Sequence, residues 1–406
     1  MTADPGLRRL ALGTLLAAFP GAEAPEWIGA LLADGLAGVT LFGSNTADPA
    51  RLTAALRSAR PDVIVAIDEE GGDVTRLDVR TGSRFPGNLA LGAVDDPALT
   101  RDVYAAIGTG LAAAGITLGL APVADVNTTA DNPVIGTRSF GSDPLLVARH
   151  TAAAVTGLQS TGVAACAKHF PGHGATTVDS HLALPTVDVP FDLLRGRDLP
   201  PFAAAIEAGA RAIMTAHIRV PALTGTRPAT FSPEALQTLL RDEYAFRGAV
   251  VTDALEMRGA TALAGGLGAA AVAALTAGAD LLCLGARVDG DLVEHVVSEI
   301  LAALASGRLG RARLEEAAAR TAAGRTTTAG TAAHIAAAQV AAAHAAAHHH
   351  LRPIAAGAFG TFDNDHVAFF KAGQNLDIIV VADTGFNGNL GVFGAFQDFF
   401  HFIQLA

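Results

Sequence analysis

Seven short apolar runs, which alternate with Ala/Leu/Arg-rich helical patterns, constrain the fold of this chain more than any other feature. The runs are LAGVTLFG, DVIVAIDEEGG, ITLGLAPVADVN, GVAACAKHFPGHG, ARAIMTAHI, GAVVTDALEM and ADLLCLG. Each run begins apolar and ends polar. Continuous apolar strands between amphipathic helices are typical of a parallel sheet with both faces covered. The pattern therefore predicts an α/β fold.

Seven strands of this kind match a TIM-type (β/α) barrel in which the eighth strand is unassigned. An open doubly wound sheet is the alternative, but no G-x-G-x-x-G follows the first strand, and polar residues end the strands all round the series. In a barrel, the carboxyl ends of the strands converge on one face. The prediction therefore brings together Asp68, Glu69, Glu70, Asp125, Lys168, His169, His217, Asp253 and Glu256.

The composition changes towards the C-terminus. We predict a barrel over residues 1–326, an Ala/His-rich linker over 327–352 and a phenylalanine-rich C-terminal segment of unknown role over 353–406. The histidines of the linker have no carboxylate or cysteine at ligand spacing, so no metal site is predicted there.

The formal net charge of −11, without a Lys/Arg-rich run, gives no electrostatic basis for binding nucleic acid or an anionic membrane. A small neutral substrate fits this charge better.

The N-terminal run GLRRLALGTLLAAFPG is similar to a short signal peptide, but Gly13 and Thr14 interrupt it. We therefore predict an opening helix of a cytoplasmic protein, with secretion as the alternative. Cys166 and Cys283 are expected to be buried and unpaired. The oligomeric state is open.

Residues 168–185, KHFPGHGATTVDSHLALP, combine a strand end with a loop. Pro171 and the glycines disfavour a helix, so we expect the loop to lie over the barrel mouth. Asp179 and His181 are two residues apart, a spacing at which the carboxylate orients one imidazole nitrogen while the other faces a substrate. Such a histidine exchanges protons near neutral pH. The alternative is a pair that only stabilises the turn.

Asp253 follows the apolar strand GAVVT and is expected to point into the barrel mouth. A carboxylate opposite a loop acid is the arrangement for double displacement at an acetal carbon. The residues thus indicate a retaining glycosidase.

Several motifs also carry a family resemblance. KHFPGHG followed by DSH, together with AIDEEGG, LAPVADVN, NPVIGTRSFG, MTAHI and VVTDALEM, resembles family 3 glycoside hydrolases, and specifically the bacterial β-N-acetylglucosaminidases of cell-wall recycling. The resemblance covers roughly residues 8–325. It implies that Asp253 is the nucleophile and His181 the acid/base, with Asp179 as its orienting partner.

The resemblance further implies a set of sugar-binding residues, with Met257 lining the pocket beside them. The set is Asp68, Arg76, Arg138, Lys168, His169 and His217. Two positions depart from the family pattern: Ala175 stands where an acidic residue is common, and Asp73 where an arginine is common. Because Ala175 lies in the loop of His181, we expect altered loop closure and a lower rate.

The predicted function is that of a retaining exo-β-N-acetylglucosaminidase (β-N-acetylhexosaminidase) acting on muropeptide-like or chitooligosaccharide substrates, with no metal or organic cofactor. Alternatives within the same chemistry are a β-glucosidase and a glycoside phosphorylase. A catalytically silent sugar-binding protein is the alternative of a different class. Metal-dependent hydrolysis would require His169, His173 and His181 to converge.

Overall fold

The computed structural model describes residues 4–177 and 184–329. Within them, eight parallel strands form one sheet in the order β7-β6-β5-β4-β3-β2-β1-β8. The strands are β1 Leu15–Ala17, β2 Gly38–Leu41, β3 Ile64–Ile67, β4 Leu118–Gly119, β5 Ala164–Phe170, β6 Ala212–Thr215, β7 Ala249–Thr252 and β8 Leu282–Cys283. A parallel bridge between Val251 and Leu281 brings β7 beside β8, so the sheet curls into a nearly closed ring. The predicted TIM-type barrel is confirmed.

Helices surround the strands. They are α1 Pro5–Leu12, α2 Glu26–Asp34, α3 Pro49–Ala59, α4 Asn88–Val94, α5 Pro97–Ala113, α6 Pro144–Ser160, α7 Phe191–Arg197, α8 Pro200–Glu207, α9 Pro221–Thr224, α10 Arg258–Ala264, α11 Leu267–Ala277, α12 Gly290–Ala305 and α13 Arg311–Ala329. A π-helical segment, Glu234–Glu243, precedes β7.

The strand that the sequence left unassigned lies in the N-terminal run. The side chain of Asp4 caps α1, and the helix ends at Leu12, after which Leu15–Ala17 forms β1. This strand is fully buried and pairs with β2 on one side and β8 on the other. The run is therefore a helix followed by a barrel strand, and not only the opening helix that its pattern predicts.

The core has two layers because successive strand side chains point to opposite faces. One buried cluster fills the barrel interior and includes Ile64, Cys166, Met214 and Val251. A larger cluster lies between the strands and the helices. The interior face continues two residues beyond these positions, which places Lys168 and Asp253 at the carboxyl end of the barrel.

Buried charges secure the opposite end. Asp280, which precedes β8, is fully buried and pairs with Arg241 of the π-helical segment and with Arg313 and Arg320 of α13. These ion pairs tie α13 to the bottom of the barrel, away from the convergent strand ends.

Cys166 and Cys283 are buried and free, as expected from the sequence. In the described part of the chain, no single helix is both long and apolar enough to cross a membrane. The helices α10 and α11 together have the length and composition of a span, but a bend of 93° separates them. The predicted linker at 327–352, except for the end of α13, and the segment at 353–406 lie outside the described residues.

Candidate active site

Lys168 lies at the centre of the convergent strand ends. Its ammonium group donates to Asp68 Oδ1 and lies equally close, at 2.6 Å, to Glu70 Oε1. The side chain of Lys168 is buried, yet its pKa is raised: burial alone would lower it, but the facing carboxylates of Asp68 and Glu70 outweigh that cost. Lys168 is therefore a fixed cation in the barrel mouth.

Arg138 joins this cluster from the loop after β4. Its guanidinium binds Glu70 through two parallel bonds, Nη2 to Oε1 at 2.7 Å and Nε to Oε2 at 2.9 Å. Burial would raise the pKa of Glu70, but the two cations hold it well below its usual range. On the other side, Arg76 Nη2 lies 3.9 Å from Asp68 Oδ2. The structure thus brings Asp68, Arg76, Arg138 and Lys168 together.

Asp253 follows β7 directly and is partly exposed at the barrel mouth. Its Oδ1 accepts a hydrogen bond of 2.7 Å from Ala254 N–H. Burial would raise the pKa of Asp253, but the charges of His169 and His217 and the Ala254 N–H lower it below its ordinary value. Asp253 is therefore an ionised carboxylate over the neutral pH range, as a nucleophile must be.

His217 is fully buried, and both of its ring nitrogens have partners inside the protein. Nε2 donates to the Ala254 carbonyl at 3.1 Å, and Nδ1 lies 2.8 Å from Thr230 Oγ1. Because a carbonyl only accepts, Nε2 carries a proton. His217 therefore fixes the backbone beside Asp253, and its predicted contact with a substrate stays a prediction.

His169 and His173 both bind Asp125, a fully buried residue in the loop after β4. His169 Nδ1 lies 2.8 Å from Asp125 Oδ2, and His173 N–H donates to Oδ1 at 2.7 Å. The pKa of Asp125 is lowered, because the two histidines outweigh the effect of burial. This carboxylate holds the end of β5 and the start of the following loop.

The start of that loop packs tightly against its neighbours. A Cβ on Gly174 would lie 2.0 Å from the Val126 carbonyl oxygen, so only glycine fits. Asn132 Nδ2 donates to the His173 carbonyl at 3.0 Å. Of the two departures from the family pattern, Ala175 is partly buried against the core, and Asp73 accepts a hydrogen bond from Thr137.

The predicted acid/base pair, Asp179 and His181, lies in residues 178–183, outside the described residues. Their roles stay predictions. Among residues 4–177 and 184–329, no three His, Cys, Asp or Glu side chains are grouped to hold a metal ion.

The barrel pattern also places Glu69 and Glu256 at this end. Their carboxylates bind loop backbone and do not join the Lys168 cluster. Glu69 accepts backbone N–H bonds from Arg76 at 2.9 Å and Leu77 at 3.0 Å, and burial raises its pKa. Glu256 accepts N–H bonds from Ala286 at 2.8 Å and Arg287 at 3.0 Å. Backbone donors within the loops satisfy these carboxylates, a contact that strand periodicity does not reveal.

Glu70 and Asp125 hold the site together, although the family resemblance assigned neither a role. Glu70 neutralises two cations, and Asp125 binds two histidines. The sequence analysis includes Glu70 and Asp125 among the carboxylates at the strand ends, and this position is the signal that could have identified them. Their partners come from other strands and loops, so the sequence could not identify them.

Asp198 lies against the loop that follows β5, and its buried carboxyl makes the stability of the fold depend on pH. It is fully buried beside Gly172, and burial raises the pKa of its carboxyl to about 6 despite hydrogen bonds from Arg197. An unfolded aspartate titrates near pH ~3.9. The folded protein thus retains this proton at higher pH than the unfolded chain, and Asp198 makes the free energy of unfolding fall as pH rises from about 4 to about 6.

Asp198→Asn removes this titration. We expect the variant to gain about 1–3 kcal/mol in free energy of unfolding relative to the wild type between pH ~4 and ~7. Urea denaturation at both pH values measures the difference, with the exposed Asp192→Asn of α7 as the control. A difference between Asp198→Asn and wild type that does not change with pH would contradict the assignment.

Comparison with known families gives a match over most of the chain. The model described as glycosyl hydrolase family 3 N terminal domain matches residues 15–323. Beta-hexosaminidase A of Pseudoalteromonas piscicida is 36% identical over 306 residues, which are 68% of this chain and 51% of that protein. Beta-hexosaminidase of Stenotrophomonas maltophilia (strain R551-3) is 39% identical over 303 residues, 71% of this chain and 88% of that protein.

Solved structures share the fold. A glycoside hydrolase family 3 beta-N-acetylglucosaminidase from Paenibacillus sp. str. FPU-7 superposes with a TM-score of 0.76 at 40% identity, over 80% of this chain and 62% of that one. The beta-N-acetylhexosaminidase from Beutenbergia cavernae DSM 12333 has a TM-score of 0.71 at 30% identity, over 80% of this chain and all of that one, 100%. The chain thus spans about half the length of the Pseudoalteromonas relative and under two thirds of the Paenibacillus structure.

Proposed function

Because the chain belongs to glycosyl hydrolase family 3, we propose that it is a retaining exo-β-N-acetylglucosaminidase (β-N-acetylhexosaminidase) that removes terminal N-acetylglucosamine. The observation that carries the proposal is Asp253, an ionised carboxylate in the barrel mouth beside the ion-paired Lys168. The names of the relatives support the choice of sugar, since they are hexosaminidases and β-N-acetylglucosaminidases.

In the first proposed step, a carboxylate oxygen of Asp253 attacks the anomeric carbon, and the bond from that carbon to the leaving oxygen breaks. His181, oriented by Asp179, gives its proton to the leaving oxygen. In the second step His181 takes a proton from water, whose oxygen attacks the anomeric carbon and releases Asp253. Two inversions give net retention.

The proposed sugar contacts use the polar groups that surround Asp253. Asp68, with its Oδ1 bound to Lys168, has acceptor capacity for a sugar hydroxyl, and Arg76 and Lys168 donate to sugar oxygens. His169 contacts the sugar through Nε2, the ring nitrogen that does not bind Asp125. Arg138, already bound twice to Glu70, fixes the position of Lys168 through that carboxylate. His217 supports Asp253 from behind.

The finer assignment is to muropeptide-like or chitooligosaccharide substrates, in peptidoglycan recycling in the cytoplasm. It rests on the resemblance of the KHFPGHG and DSH motifs to enzymes of cell-wall recycling. Rates on an anhydromuropeptide and on chitobiose, together with immunoblots of cell fractions, test it. Activity on neither compound would contradict the substrate assignment. Activity on chitobiose alone, or protein found only outside the cytoplasm, would contradict the role in cytoplasmic peptidoglycan recycling.

The test of the activity compares aryl β-N-acetylglucosaminide with aryl β-glucoside, in buffers with and without phosphate. We expect hydrolysis of the N-acetylglucosaminide to free N-acetylglucosamine, unchanged by a chelator. Preference for the glucoside would indicate a β-glucosidase, and a glycosyl phosphate product would indicate a phosphorylase. Binding of N-acetylglucosamine without turnover would indicate a silent sugar-binding protein.

A further inference from the structure

The carboxylate of Asp125 contacts three nitrogens in one short stretch of chain. Oδ1 accepts from the backbone N–H groups of His169 at 3.2 Å and His173 at 2.7 Å, and Oδ2 lies 2.8 Å from His169 Nδ1. Asp125 is fully buried, and Ser139 Oγ binds its carbonyl at 2.6 Å. The carboxylate therefore has a fixed position and no access to solvent.

This contact decides which nitrogen of His169 carries a proton. The pKa of Asp125 is lowered by the two histidines against the effect of burial, so the group is a carboxylate and can only accept. Nδ1 of His169 is then the donor, whether the ring is neutral or charged. A neutral ring with this proton has a free lone pair on Nε2, and a charged ring has a second donor there.

The Nε2 edge of His169 lies opposite the nitrogen that binds Asp125. No group among the described residues hydrogen-bonds to it, although the side chain is only 7% exposed. His169 lies at the end of β5 and Asp253 directly after β7, so both residues are at the carboxyl end of the barrel. After the opposing effect of burial, the charge of His169 is the largest influence on the pKa of Asp253. The edge opposite Asp125 thus has no hydrogen-bond partner among the described residues, at the end of the barrel that carries Asp253.

Building on the proposed function, we infer that Asp125 is a positioning residue that acts through His169. It holds the proton on Nδ1 and fixes the rotation of the ring, so that Nε2 meets the sugar beside Asp253. The same carboxylate binds His173 N–H at the start of the loop that carries Asp179 and His181. The buried carboxylate of Asp125 thus positions both the ring of His169 and the backbone of His173.

A purely structural role of Asp125 would act through His173 alone and leave the His169 ring unaffected. The first experiment separates the two on the wild-type protein, without substrate, by ¹⁵N NMR of labelled histidine from acid to alkaline pH. We expect His169 Nδ1 to remain protonated throughout. A neutral His169 with its proton on Nε2 would overturn the inference.

The second experiment is a double-mutant cycle on kcat/KM with an aryl β-N-acetylglucosaminide. We expect Asp125→Asn to lower kcat/KM by about 10- to 100-fold, because one charge-assisted hydrogen bond to the ring is lost. In a His169→Ala background the same change should cost less than about 3-fold, because the group through which Asp125 acts is absent. Equal losses in the two backgrounds would overturn the inference.

Asn132→Ala is the matched control. It removes the bond to the His173 carbonyl but does not touch the His169 ring, so its effect should be the same in both backgrounds. If the wild type hydrolyses no aryl N-acetylglucosaminide, the proposed function fails while the NMR result still decides the role of Asp125. The NMR result also decides it if Asp125→Asn does not fold.

Discussion

Replacing Asp253 with alanine is expected to lower kcat by about 10⁴- to 10⁶-fold, because the variant has no carboxylate to form the covalent intermediate. The fold should survive, since within residues 4–177 and 184–329 the Asp253 side chain makes one hydrogen bond, which it accepts from the Ala254 N–H. Steady-state kinetics on an aryl β-N-acetylglucosaminide and thermal unfolding of the same preparations measure the two effects. A loss of less than 100-fold in a folded variant would contradict the assignment.

Intact-protein mass spectrometry identifies the nucleophile directly. Brief incubation with a 5-fluoro N-acetylglucosaminyl fluoride should give a slow-turnover adduct on the wild type and none on Asp253→Ala. Glu256→Gln is the control, because Glu256 lies three residues away on the same loop but binds the N–H groups of Ala286 and Arg287. Glu256→Gln should retain the adduct. An adduct on Asp253→Ala would place the nucleophile elsewhere.

Glu70→Ala is expected to lower the free energy of unfolding by about 3–5 kcal/mol, the usual cost of removing one partner from a buried ion pair. The change leaves the partly buried Arg138 without its bidentate partner. Of the carboxylates in the described part of the chain that pair with Lys168, only Asp68 remains. The loss should extend to catalysis as a higher KM, since Glu70 orients Lys168. Urea denaturation and steady-state kinetics measure the two effects.

The matched control is Glu23→Ala. Glu23 pairs with Arg51 at the surface, where both side chains are more than three quarters exposed (79% and 76%), and such pairs contribute only about 0–1 kcal/mol. Because the pKa of Glu70 is depressed, its contribution is present above the ordinary carboxyl pKa of about 4.3 and is lost at lower pH. Equal destabilisation by the two variants near neutral pH would contradict the ion-pair assignment.

The barrel was predictable because burial on both faces gives each strand a continuous apolar run. The same reasoning missed β1: Leu15–Ala17 is short and follows α1 after only two residues, so its pattern merges with that of the helix. Only its pairing with β2 and β8 identifies it as a strand.

The site was predictable as a set of strand ends, but not as a set of contacts. Strand periodicity places Asp68, Lys168 and Asp253 on one face, because side chains alternate along a strand. The same periodicity places Glu69 and Glu256 at this end of the barrel, but it does not reveal that backbone N–H groups of loops donate to their carboxylates. Loop geometry makes that difference.

The sequence by itself determined the fold class, the end of the barrel where the chemistry lies and, through its motifs, the family. Local patterns of apolarity and turn residues carry that information, since they follow from the neighbours along the chain. Only the tertiary structure decided which carboxylates bind cations, which accept hydrogen bonds from loop backbone, and which ring nitrogen of His217 donates to the Ala254 carbonyl. Those outcomes depend on partners about 100 residues away along the chain, as with Lys168 and Asp68, and on burial that shifts each pKa.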